Sequence, residues 1–257
     1  MQGAALEALG LGGEWSYGEI DVDPVEFDER VRGLAGEGYV GANVTIPHKE
    51  AALQVADETS EAAREIGAAN TLTFRGQDIR ADNTDATGLL AALSEPIEGK
   101  SALVLGAGGS ARAAVWALAG QGASVSVWNR SPERAEEIAR DLGAVGNLAT
   151  VGEEQARAGG FDLVVNCTAI GMKDEDPFEK LPLDPDRLTP GVAVVDLVYA
   201  GSESRLVLEA RARGAAAIDG LEVLVRQGAE SLRIWTGMDP PLDVMREAAK
   251  RGGETDA

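Results

Sequence analysis

Gly106-Ala107-Gly108-Gly109-Ser110-Ala111 has the spacing of a turn that holds a dinucleotide. In the pattern G-x-G-x-x-A the glycines permit a tight turn and let backbone amides approach a pyrophosphate at a helix start. A merely structural glycine turn looks the same, so the next strand end decides. An NAD site usually places Asp or Glu there to accept from the ribose 2′-hydroxyl; this chain has Asn129-Arg130-Ser131-Pro132-Glu133-Arg134. A carboxylate repels a 2′-phosphate, whereas Arg130 and Arg134 bind one. A basic side chain in the first turn also opposes the helix dipole, which a bound anion explains. The expected cofactor is NADP, held by the glycine turn with Asn129, Arg130, Ser131 and Arg134.

Residue counts narrow the remaining chemistry. Cys167 is the only cysteine and His48 the only histidine, which excludes an intrachain disulfide and any multi-cysteine or multi-histidine metal centre. A Ser-His-Asp triad survives only with His48 as its base. Proton transfer therefore rests mainly on Lys, Asp, Glu or Tyr.

The elements that position these residues read as α/β. From Lys100 onward, short apolar runs alternate with amphipathic helical patterns, the sequence form of a parallel βαβ sheet. Strands are expected at Ser101–Leu105, Ser124–Trp128, Phe161–Val165 and Val192–Asp196, with helices at Ser110–Ala119 and Pro132–Leu142, the latter capped by Ser131. Before Lys100 the pattern predicts strands at Trp15–Ile20 and Val40–Ile46, a hairpin of Asn70–Phe74 with Ile79–Ala81, and helices at Val25–Leu34 and Asp85–Leu93. Helices Leu221–Trp235 and Leu242–Lys250 have no strand between them and are expected to pack back across the junction. The resulting divisions are 1–88, a Rossmann-type parallel-sheet unit at 89–220, and returning helices at 221–257.

Composition agrees with a globular enzyme: 257 residues, 44% hydrophobic and 26% charged. No apolar run reaches membrane-span length and the amino terminus has no secretory pattern, so cytoplasmic residence is the default. The formal charge is −20, and a field of that sign disfavours nucleic acid and anionic membranes as partners. A lysine-poor acidic surface suits a high-salt cytoplasm and equally an acidic mesophilic protein.

Four further motifs carry a family likeness. Gly41-Ala42-Asn43-Val44-Thr45-Ile46-Pro47-His48-Lys49-Glu50, Ala68-Ala69-Asn70-Thr71, Asp82-Asn83-Thr84-Asp85, and Asp219-Gly220-Leu221 with Gln227 resemble shikimate dehydrogenases in order and spacing. The resemblance covers nearly the whole chain. It implies an amino-terminal α/β substrate domain beside the NADP domain, and reversible reduction of 3-dehydroshikimate by NADPH in chorismate and aromatic amino-acid biosynthesis. By the same resemblance Lys49 and Asp85 are catalytic, and Thr45, Asn70, Tyr199 and Gln227 bind the substrate's hydroxyls and carboxylate. Asn166 and Thr168 border the cofactor, and Leu197 and Gly220 line its nicotinamide. An ammonium at Lys49 suits a ketone that gains alkoxide charge. Plainer readings stand beside these: a surface lysine at a helix start, and Asp85 as an N-cap. His48 is better read as packing than as a base.

The likeness has one gap. The family begins with a strand and a Ser-x-Ser-Pro-x-x-x-His-Asn stretch whose serines bind the substrate carboxylate, and this sequence opens inside the following helix, with Gln2 and Gly3 at the His-Asn positions. An omitted upstream segment is the expected explanation. A quinate or aminoshikimate dehydrogenase, or a catalytically impaired NADP-binding relic, are the alternatives. A small-molecule substrate is expected, and a homodimer is left open.

Overall fold

A computed structural model describes residues 1–173, 175–199 and 202–255. The first half of the chain runs α1 (Gln2–Ala8), α2 (Phe27–Gly36), β1 (Gly41–Asn43), α3 (Lys49–Val55), β2 (Glu58–Thr59), α4 (Glu61–Ile66), β3 (Thr71–Arg75), β4 (Asp78–Asp82) and α5 (Asp85–Ala92). The second runs β5 (Ser101–Leu105), α6 (Gly109–Gly120), β6 (Ser124–Trp128), α7 (Pro132–Asp141), β7 (Leu148–Thr150), α8 (Glu153–Ala158), β8 (Leu163–Asn166) and α9 (Pro177–Lys180). It closes with β9 (Ala193–Asp196), α10 (Arg205–Ala212), β10 (Ala216–Ile218), α11 (Gly220–Thr236) and α12 (Leu242–Thr255).

Two sheets result. The larger has the order β10-β9-β8-β5-β6-β7 with every pair parallel. Chain order reverses at β5, so the crevice for a ligand lies beyond the carboxyl ends of β5 and β8. The smaller has the order β1-β3-β4-β2, mixed in direction. Its hairpin turns at Gly76-Gln77, with Arg75 opposite Asp78, as the Arg75-to-Asp78 spacing predicts.

Buried apolar side chains cover both faces of the larger sheet, around Val104, Leu118 and Val125 on one side and Leu103, Val164 and Leu206 on the other. This is what a parallel sheet between helical layers requires. The smaller sheet packs Leu72 and Ile79 against Phe27 and Val31 of α2 and Ala52 of α3. A third cluster joins α1, α11 and α12 through Leu6, Val225 and Met245. The last two helices thus return to the first half, and Trp235 of α11 donates its indole N–H to the Leu72 carbonyl at 3.0 Å.

The halves are stitched by α4, α5 and α6. Ile66, Ala68, Ala86, Ala113 and Ala117 share one apolar cluster, Arg112 Nε donates to the Ile66 carbonyl at 2.6 Å, and Trp116 Nε1 donates to Glu65 at 2.9 Å. Small residues let helices approach closely here. A Cβ on Gly88 of α5 falls 2.7 Å from Gln227 Cβ and 2.8 Å from Gln227 N of α11. Gly88→Ala is therefore expected to destabilise by about 1–3 kcal/mol through overpacking; an unchanged urea midpoint would show that the two helices separate freely.

Several expectations need correction. Trp15–Ile20 is not a strand: it pairs with no described strand, and an extended segment gains a ladder only from a neighbour. The strand expected at Val40–Ile46 is confined to Gly41–Asn43, after which the chain passes the cis Ile46-Pro47 peptide into α3. The short strands β2, β7 and β10 exist only by pairing with β4, β6 and β9. Among the described residues no helix is long and apolar enough to cross a membrane.

Candidate active site

The D-N-T-D segment leaves β4 and enters α5. Asn83, not Asp85, supplies the helix cap: its Oδ1 accepts from the backbone N–H of Asp85 at 3.1 Å and of Ala86 at 3.3 Å. The Asp85 carboxylate is thereby released for other work, in a first helical turn whose dipole favours a negative charge. Its Oδ2 accepts from Lys49 Nζ at 2.7 Å and its Oδ1 from Asn70 Nδ2 at 2.9 Å. Lys49 opens α3, and its backbone carbonyl is held by the Ala69 amide at 2.8 Å. The two side chains retain only 13% and 14% of their exposure, so their attraction is less screened than a surface pair's. Lys49 Nζ also donates to Ser110 Oγ at 2.9 Å, across the gap between the two sheets.

Asn70 is the hub of the smaller sheet's end. It is 2% exposed, and its Oδ1 accepts from the Thr84 backbone N–H at 2.7 Å. That N–H can only donate, which sets the amide's orientation. Nδ2 then faces three acceptors: Thr84 Oγ1 at 3.0 Å, Asp85 Oδ1 at 2.9 Å and Gln227 Oε1 at 3.1 Å. Behind this lies a hydroxyl relay that the motifs did not reveal. Ser231 Oγ meets Thr71 Oγ1 at 2.8 Å and Thr84 Oγ1 at 3.1 Å, and accepts from Asn43 Nδ2 at 2.8 Å. Ser231 stands four residues after Gln227 on one face of α11, a spacing that could have signalled it.

The glycine turn follows β5 as expected. Gly106 has φ 111°, and a Cβ there would meet Thr168 Cγ2 at 3.2 Å and the Cys167 carbonyl at 3.3 Å. Ala107 and Ala111 are buried and hold the turn on the sheet. Gly108 caps α6 without any side-chain bond and has open space beyond it, leaving the helix's first amides available to an anion. At the end of β6, Asn129 Nδ2 donates to the Ser131 carbonyl at 3.0 Å, and Ser131 precedes α7 without a side-chain cap bond. Arg130 is exposed and makes no hydrogen bond or ion pair among the described residues. Arg134 lies 3.8 Å from Glu50, both well exposed.

Other expected site residues stand elsewhere. Asn166 is fully buried, and its amide is spent on Asp196, Ile170 and Thr168. It stands behind Thr168, whose half-buried position borders the turn. Tyr199 donates its hydroxyl to the Ala249 carbonyl at 2.6 Å and packs among α1, α11 and α12. Thr45 is exposed ahead of α3, and among the described residues no hydrogen bond of its hydroxyl joins it to the cluster. Leu197 and Gly220 do meet: a Cβ on Gly220 would fall 2.3 Å from the Val198 carbonyl oxygen and 2.9 Å from that of Leu197.

A partly buried thiol, a buried carboxyl and the histidine lie outside the proton chemistry. Burial pushes the Cys167 thiol far above its ordinary range. Burial also raises the Asp196 carboxyl, against the opposing hydrogen bonds of Ser204, the Val198 amide and Asn166. His48 Nε2 lies 3.0 Å from the Val22 carbonyl and its ring stacks on Phe27 at 4.6 Å, so it packs, as expected. Among the described residues no cluster of His, Cys, Asp and Glu is arranged for a metal ion.

Comparison with known proteins agrees along the chain. Residues 1–72 match the shikimate dehydrogenase substrate binding domain, 89–172 the shikimate / quinate 5-dehydrogenase family, and 220–250 the shikimate 5′-dehydrogenase C-terminal domain. A shikimate dehydrogenase (NADP(+)) of Methanocella arvoryzae is 45% identical, over 97% of this chain and 92% of that protein. Shikimate 5-dehydrogenase of Thermus thermophilus, solved with NADP(H) and shikimate, is 40% identical with a TM-score of 0.85, covering 97% of this chain and 92% of that one. Quinate dehydrogenase of Corynebacterium glutamicum, solved with NAD, is 30% identical with a TM-score of 0.82, covering 96% and 92%.

Proposed function

The chain belongs to the shikimate dehydrogenase family, and from that premise we infer that it is an NADP-dependent oxidoreductase interconverting 3-dehydroshikimate and shikimate. The observation that carries the mechanism is the 2.7 Å Lys49–Asp85 pair beside the glycine turn.

The residues present fit the cofactor. The open amides at the start of α6, the unobstructed space beyond Gly108 and the unpaired Arg130 suit a pyrophosphate and a 2′-phosphate. NADPH, when bound, supplies the hydride that reduces the ketone carbon, and NADP⁺ accepts it in the reverse direction. As the carbonyl π pair moves to oxygen, Lys49 Nζ stabilises the growing negative charge and gives that oxygen its proton. Asp85 holds Lys49 in place and stays tied to Asn70. In shikimate oxidation the same nitrogen takes the hydroxyl proton. Asn70 and Gln227, neutral donors and acceptors, suit the hydroxyls of a polyol ring, and Thr45 offers a further hydroxyl from the turn ahead of Lys49.

The test is direct: the purified chain should reduce NADP⁺ in the presence of shikimate, followed by NADPH absorbance, and should do so faster than with quinate. Turnover of quinate with NAD⁺ in preference would assign it to the quinate branch. Tight NADP binding with no turnover of either alcohol would make it a binding protein on the same scaffold.

A further inference from the structure

Gly109 is the glycine that a dinucleotide turn does not need. In G-x-G-x-x-A the requirement falls on positions 106, 108 and 111, while 109 and 110 are free. Nor does the backbone demand glycine, since Gly109 is not among the positive-φ glycines. Its neighbours explain it instead. A Cβ at Gly109 would fall 2.8 Å from Lys49 Cβ, 3.3 Å from Lys49 Cδ and 3.3 Å from Ala68 Cβ. At Gly108, by contrast, a Cβ meets nothing within 4 Å. The face of residue 109 is therefore turned to the lysine stem, while Gly108 faces open space. The next residue completes the arrangement, because Ser110 Oγ accepts from Lys49 Nζ at 2.9 Å.

We propose that Gly109 and Ser110 form a seat for the catalytic lysine: Gly109 admits its stem and Ser110 orients its ammonium. Both are positioning residues, and the inference rests on the reading of Lys49 as the proton-transfer group. An ammonium has three N–H bonds at tetrahedral angles. With one directed to Asp85 and a second to Ser110, rotation about the Cε–Nζ bond is stopped and the third has a single direction left. With Asp85 alone, the ammonium pivots about that one bond. The turn that presents amides to the cofactor thus also aims the acid, so both reacting partners are referred to one short stretch of backbone.

The experiment measures kcat, KM and directly titrated NADP affinity for Ser110→Ala, Ser110→Thr and Gly109→Ala, alone and on the Lys49→Ala background. Ser110→Ala is expected to lower kcat about ten- to hundredfold, as for one lost charge-assisted bond, with NADP affinity within about twofold. Ser110→Thr, which keeps the hydroxyl, should restore most of that loss. Gly109→Ala should lower kcat about tenfold or more by displacing the stem, with its melting temperature measured alongside; if it fails to fold, the serine pair carries the test. On the Lys49→Ala background neither variant should cost more than about twofold, since residues acting as a unit are non-additive. A weaker NADP affinity at unchanged kcat in Ser110→Ala would make the hydroxyl a phosphate ligand and overturn the seat. So would equal losses with and without Lys49. Full activity in Lys49→Ala fails differently, by removing the lysine from the reaction.

Discussion

Lys49→Ala lowers shikimate turnover about 10²- to 10⁴-fold, the range for losing a general acid–base group, while NADP affinity stays within about twofold. Neither His48 nor Cys167 can substitute. His48 is engaged with Val22 and Phe27, and burial holds the Cys167 thiol protonated far above its ordinary range. Water can still take the hydroxyl proton, which is why activity falls and does not vanish. The variant also leaves the Asp85 carboxylate without its cation, although Asn70 continues to donate to it. Lys49→Met separates these effects, because it keeps a stem against Gly109 and Ala68 and deletes only the ammonium. Steady-state kinetics should show similar losses for the two variants. A decrease of less than tenfold in both removes Lys49 from the mechanism.

Arg130→Asp is expected to weaken NADP binding on the order of 10²-fold by replacing a charge-assisted bond with repulsion, and to change NAD affinity little. The chain carries a formal charge of −20, so an anionic ligand approaches against the general field and depends on local cations. Arg130 has no partner among the described residues to give up. Arg134 faces Glu50 at 3.8 Å, so its removal should cost less than that of Arg130. Titration of each nucleotide against the variant decides the matter: equal losses for NADP and NAD would rule out a 2′-phosphate contact.

Legibility in the sequence followed the range of the interaction. Ser101–Leu105 and Ser124–Trp128 have the bounds that their apolar runs predict, because alternation of strand and helix is written locally. Ala216–Ile218 shows no such signal; it is a strand because β9 lies beside it. Trp15–Ile20 has the composition of a strand and no partner strand among the described residues. In the site, the motifs led to Lys49, Asp85, Asn70 and Gln227, which the structure brings together. They also led to Asn166, whose amide meets Asp196, Ile170 and Thr168, and to Tyr199, whose hydroxyl donates to Ala249. Spacing along a chain marks which side chains matter and says little about the direction in which each one points. The Lys49–Ser110 bond spans two sheets, and no periodicity encodes a meeting across such a gap.

The Asn70 amide shares its two protons among Thr84 Oγ1, Asp85 Oδ1 and Gln227 Oε1, and the Thr84 hydroxyl lies within reach of Asn70 Oδ1 and Gln227 Oε1 as a donor in return. The corner is an exchange in which most members both give and take. A ring that carries hydroxyls has the same double capacity, so it can join that exchange at either end of each bond.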